Sequence, residues 1–110
     1  ETEKFIDAST GISGSGPAYV FYFMNSMMEA ALKMGFSKND SKVLVSQTFE
    51  GAVKLFNESD LSASTWMERV ASKGGTTRAA LDSMDDNNVE ELIKDAAYAA
   101  FDRAVELGKE

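Results

Sequence analysis

Two glycine-rich strings hold most of the residues that could do chemistry. The first is Ser72-Lys73-Gly74-Gly75-Thr76-Thr77, placed directly ahead of a helical pattern. Paired glycines let the backbone come close to a ligand, and a helix start offers unpaired N–H groups with partial positive charge. That combination binds a carboxylate or a phosphate. Thr76 and Thr77 add hydroxyl donors, and Lys73 and Arg78 add positive charge nearby. An ordinary turn with a threonine cap is the plainer alternative, and the residues alone leave both open.

The second string, Gly11-Ile12-Ser13-Gly14-Ser15-Gly16-Pro17, superficially suggests a dinucleotide fingerprint. That motif needs a preceding strand and a third glycine at position 19, where this chain has Tyr19. It reads instead as a flexible entry loop capping a helix. The carboxylates Asp82, Asp85, Asp86, Glu90, Glu91 and Asp95 fit no calcium-loop spacing and read as solvated surface. Trp66, with Met67 beside it and Val70 four residues on, reads as packing in a core or an interface.

Composition removes many alternatives. The 110 residues suit one domain, assigned to 1–110. No Cys and no His leave no disulfide scaffold, zinc finger, thiol nucleophile or imidazole base, and no metal site is expected. A net charge of −7 argues against a nucleic-acid partner and against docking on an anionic membrane. The most apolar run, Pro17–Met34, is interrupted by Asn25, Glu29 and Lys33 and falls short of a membrane span. A cytoplasmic protein is expected.

The elements that must position these strings follow a helical period, with no sustained alternation of β-branched residues. An all-α domain of about five helices is expected. Helix one begins at Gly16–Pro17 and runs to about Met34, stopped by Gly35 in a left-handed conformation. Ser37 with Asp40 forms a capping box opening a helix over about 39–57. Further helices fit about 63–71, 76–84 and 89–107, the last opened by Asn88 with Glu91.

Helix one is apolar around most of its circumference, with Asn25, Glu29 and Lys33 confined to one stripe. Such a helix must be covered nearly all round. Neighbours in the same chain could do so, but four other helices are few for the task. Met24, Met27, Met28 and Met34 suit an adaptable interface. We therefore expect an obligate homodimer.

Taken in order, Thr10-Gly11-Ile12-Ser13-Gly14-Ser15-Gly16-Pro17-Ala18-Tyr19, Lys33-Met34-Gly35 and Gly74-Gly75-Thr76-Thr77 resemble the C-terminal dimerisation domain of the pyrroline-5-carboxylate reductases. The resemblance spans essentially the whole chain. It implies an interlocked dimer with a helical domain like the C-terminal one of 6-phosphogluconate dehydrogenase, assembling further in the family into decamers. It also implies an N-terminal Rossmann domain, absent from this chain, that binds most of the NADPH or NADH. The reaction implied is reduction of 1-pyrroline-5-carboxylate to L-proline, the last step of proline biosynthesis, with the isolated fragment inactive. The alternative is a non-catalytic helical dimerisation or small-carboxylate-binding module.

Residue by residue, the resemblance gives Thr77 the contact to the substrate nitrogen. Gly75 and Thr76 take the backbone positions that cradle the carboxylate, with Ser72 and Gly74 in the same substrate loop. Asp60 falls where the family usually has a glutamate near the substrate. Pro17 matches the proline near the nicotinamide. Lys73 replaces a usual proline, and Ser62-Ala63 replace a usual His-Pro pair.

Overall fold

The structure, a computed structural model, describes residues 2–72 and 75–109. Its elements are α1 (Thr2–Ser9), a π-helical turn (Thr10–Gly14), α2 (Gly16–Lys33), α3 (Lys38–Asn57), α4 (Ala63–Ala71), α5 (Gly75–Asp86) and α6 (Val89–Gly108). No strand occurs among the described residues, as the periodicity requires. Two compact units result. One takes the residues up to Phe21 and from Asp82 onward, and the other Tyr22–Leu81.

The first unit corrects the expected flexible entry loop. Thr2–Ser9 is helical, and the glycine-serine string continues as a π turn. Small hydroxyls make this possible by bonding back to carbonyls one turn earlier: Thr10 Oγ1 donates to Ile6 O at 3.1 Å and Ser13 Oγ to Ser9 O at 3.1 Å. The Ser15 N–H reaches five residues back to Thr10 O at 2.8 Å, which gives the turn its wider winding. Gly11 lies buried against α6, where a Cβ would stand 2.8 Å from Ala97 O and 3.2 Å from Phe101 N. Only glycine tolerates that approach. Ala97 and Ala100, small and half-buried, keep that side of α6 low.

Asn88 also departs from expectation. It adopts the left-handed conformation (φ 59°, ψ 32°) and its side chain makes no capping hydrogen bond to α6. The reason lies on the other side: α5 ends at Asp86, and Asn88 N–H turns back to Asp85 O at 3.2 Å while Asn87 Nδ2 donates to Ser83 O at 2.8 Å. Asn88 terminates one helix, and its carbonyl starts the next by accepting from Leu92 N–H at 3.1 Å. Asparagine is among the few side chains that tolerate this backbone region. In the first turns of α6, Lys94 Nζ sits 3.5 Å from Glu90 Oε1 and 3.4 Å from Glu91 Oε1.

In the second unit the local signals hold. Gly35, at φ 110°, ends α2 with two backbone bonds, Gly35 N–H to Leu32 O (3.0 Å) and Phe36 N–H to Ala31 O (3.1 Å). Ser37 Oγ accepts from Asp40 N–H at 3.0 Å and opens α3. Ser62 does the same for α4 through Thr65 N–H at 3.1 Å, so Ala63 begins that helix without a proline. Phe23 meets Phe49 edge-on, with ring centroids 5.5 Å apart. The Trp66 ring N–H donates to Ser59 Oγ at 2.8 Å, and the Arg69 guanidinium lies 5.6 Å from its ring centroid.

Burial is sparse. Among the described residues only Ser41 (0 % exposed), Ala71 (6 %) and Val45 (7 %) form a buried side-chain core. No residue of α2 is buried, and Phe21 and Tyr22 stay 66 % and 79 % exposed. An apolar groove of about 390 Å³ runs along α3 and α4, lined by Phe56, Trp66, Met67 and Val70 among others. Among the described residues, no helix is long and apolar enough to cross a membrane.

Candidate substrate-binding loop

The connection from α4 to α5 carries most of the residues singled out in the sequence. Alpha-helix four ends because Ser72 N–H returns to Glu68 O and Val70 O, with Ser72 itself still in a right-handed helical conformation. The Ser72 hydroxyl donates to Arg69 O at 2.9 Å, so its proton is already engaged and only its lone pairs remain for a ligand. Gly74 and Lys73 lie outside the described residues.

Gly75 opens α5, and among the described residues nothing lies within 4 Å of a Cβ placed there. Thr76 is exposed and Thr77 half-buried, and neither hydroxyl finds a hydrogen-bond partner among the described residues. The N–H groups of a helix's first turn have no intrahelical acceptor. Gly75, Thr76 and Thr77 thus present amides at the positive end of a twelve-residue helix, with two hydroxyls beside them. Chemically, this arrangement can receive a small carboxylate.

Arg78 is not free to add its charge. Its Nη2 lies 2.9 Å from Glu68 Oε2 in an ion pair that joins α4 to α5. Nothing in the sequence pointed to Glu68, ten residues away, because the pairing depends on how the two helices meet. Asp60 is exposed in the connection between α3 and α4, and among the described residues no hydrogen bond or ion pair joins it to the start of α5. Pro17 is the second residue of α2, exposed, and belongs to the other unit. Among the described residues no cluster of three or more His, Cys, Asp or Glu could hold a metal ion.

An all-helical module whose long apolar helix is left largely uncovered has the character of a dimerisation domain. The chain belongs to the family described as pyrroline-5-carboxylate reductase dimerisation, whose model matches residues 3–107. It is 39 % identical over 110 residues to a pyrroline-5-carboxylate reductase of Pseudomonas aeruginosa, covering 100 % of this chain and 40 % of that protein. It is 36 % identical over 105 residues to pyrroline-5-carboxylate reductase 2 of Bacillus subtilis, covering 96 % and 38 %. Among solved structures, the NADP-bound pyrroline carboxylate reductase of Plasmodium falciparum matches with a TM-score of 0.91 at 36 % identity, over 96 % of this chain and 40 % of that one. A pyrroline-5-carboxylate reductase from Coxiella burnetii gives a TM-score of 0.90 at 37 % identity, over 97 % and 40 %. This chain therefore spans about 40 % of the length of those relatives.

Proposed function

We propose that this chain is the dimer-forming and substrate-gripping part of a cytoplasmic pyrroline-5-carboxylate reductase, which reduces 1-pyrroline-5-carboxylate to L-proline with NADH or NADPH. The observation that carries this reading is the start of α5. Among the described residues nothing lies within 4 Å of a Cβ placed at Gly75, and the amides and hydroxyls of Thr76 and Thr77 stand beside it without partners among those residues.

Reducing a cyclic imine calls for no strong nucleophile. It needs the carboxylate fixed, one face of the ring presented and water kept away. The first-turn amides of α5 hold the carboxylate. The Thr77 hydroxyl hydrogen-bonds the ring nitrogen and orients it; it is too weak an acid to be a strong proton donor. By the resemblance, Ser72 and Gly74 belong to the same substrate loop, and Asp60 takes the place of the family's glutamate near the substrate. A reduced nicotinamide, when bound, would supply the hydride for the imine carbon, while the ring nitrogen, entering already protonated from solvent as the iminium, would carry the proton that the product amine needs. The resemblance alone gives Pro17 its place near the nicotinamide. A second copy of the chain covers α2, giving a homodimer that can assemble further, up to a decamer.

The test is an assay of NAD(P)H oxidation with pyrroline-5-carboxylate, using the longer protein that carries this chain. Thr77→Ala should lower kcat/KM by roughly 10- to 1,000-fold, the range that positioned donors supply. Wild-type kinetics in that variant would remove the role given to Thr77. A wild-type protein that binds proline-like carboxylates yet oxidises no NAD(P)H would instead identify a non-catalytic module.

A further inference from the structure

Glu68 grips the binding loop at both ends. Its backbone carbonyl accepts the Ser72 N–H at 2.9 Å, where the chain leaves α4. Its side-chain Oε2 accepts from Arg78 Nη2 at 2.9 Å, where the chain has entered α5. Arg78 directly follows Thr77 in the first turns of that helix. One residue therefore ties the end of α4 to the turn that presents the threonine hydroxyls. A charge-assisted hydrogen bond of this length is directional as well as attractive.

Resting on the substrate-loop reading above, we infer that the Glu68–Arg78 pair is a positioning clamp that sets the placement of Thr77 for substrate. The pair neutralises the arginine, so the guanidinium does not serve as the carboxylate's counter-ion. With side chains 43 % and 63 % exposed, the pair adds little to the stability of the fold. Its influence lies in geometry, because displacement of a positioned donor by about 1 Å is costly to a reaction that relies on orientation.

The experiment is a double-mutant cycle on the longer reductase, with pyrroline-5-carboxylate and NAD(P)H as substrates. Glu68→Ala and Arg78→Ala should each raise KM by about two- to fivefold, the scale of an exposed ion pair, with kcat less affected. The double variant should be no worse than either single one, and the swapped pair Glu68→Arg with Arg78→Glu should recover most of the loss. A merely structural role would not give that recovery in KM. If Arg78→Ala alone raises KM and the swap fails, Arg78 is a direct ligand and the clamp is overturned. If neither variant changes KM while Thr77→Ala is impaired, the clamp falls and the loop assignment stands. If Thr77→Ala is itself unimpaired, the loop assignment fails and the clamp fails with it.

Discussion

The Tyr19 hydroxyl donates to the Gly11 carbonyl at 2.8 Å, joining the first turns of α2 to the π turn that precedes it. The bond matters because a π turn spaces its backbone bonds less favourably than an α-helix, and the tyrosine supplies a partner from outside the turn. Tyr19→Phe keeps the ring and removes that donor. It should lower stability by about 1 kcal/mol, the net worth of an ordinary hydrogen bond, as read by urea unfolding. An unchanged midpoint would show that water replaces the hydroxyl without loss.

Gly11→Ala should cost more. The added methyl would meet Ala97 O at 2.8 Å, a backbone atom that cannot rotate aside. Overpacking of this kind costs about 1–3 kcal/mol. Gly51→Ala is the matched control, since a Cβ there meets nothing within 4 Å and the site lies inside α3. It should stabilise by about 0.5–1 kcal/mol through helix propensity. Thermal melts of the two variants should therefore move in opposite directions.

Asn88 tests the left-handed hinge between α5 and α6. Asn88→Ala should destabilise by about 1 kcal/mol, because a Cβ-bearing residue without a short polar side chain is strained there. Asn88→Gly should be neutral or slightly stabilising. A helix-capping role for the asparagine side chain would instead make the two variants similar, since both delete that acceptor.

The uncovered apolar helix makes a prediction about association. Met27→Glu places a charge in the apolar groove shared by α2 and α3, beside Phe23 and Met34. A dimer buried there could not accommodate it without a partner for the charge. Light scattering should report half the mass of the parent, while Asn25→Gln on the polar stripe should leave the mass unchanged.

Alkaline titration provides a gentler probe of α6. The Glu90 carboxylate, and then Glu91 through a hydrogen bond and its charge, raise the Lys94 pKa above its usual 10.5. A raised lysine pKa gives stability that is fully present below the unfolded value and is lost as pH climbs through the folded one. Wild type should thus melt slightly above Lys94→Gln at pH 7, by at most about three degrees for so exposed a pair. The gap should close in strongly alkaline solution and shrink in salt.

Elements punctuated by local chemistry were legible without coordinates. Ser37 accepts an amide proton from Asp40, three positions on, and Gly35 takes the left-handed stop, because each needs only its immediate neighbours. The π turn was not legible: glycine and serine ordinarily signal a loop, and its helical winding depends on Gly11 resting on α6 some 86 residues later in sequence. Asn88 misled for a related reason, since the same residue type suits a helix start and a left-handed stop. In the loop, the glycine and threonine types announced the start of a helix, which opens at Gly75. The partner of Arg78 did not, because Glu68 faces it only once α4 and α5 are in place.

So thin a shielded centre among the described residues, a serine, an alanine and a valine, has a consequence for handling the molecule in solution. A subunit with so little sealed interior draws its cohesion from whatever it docks against, so dilution itself acts as a denaturant. Its melting temperature should climb with protein concentration, and cooperative unfolding and dissociation should be one event rather than two.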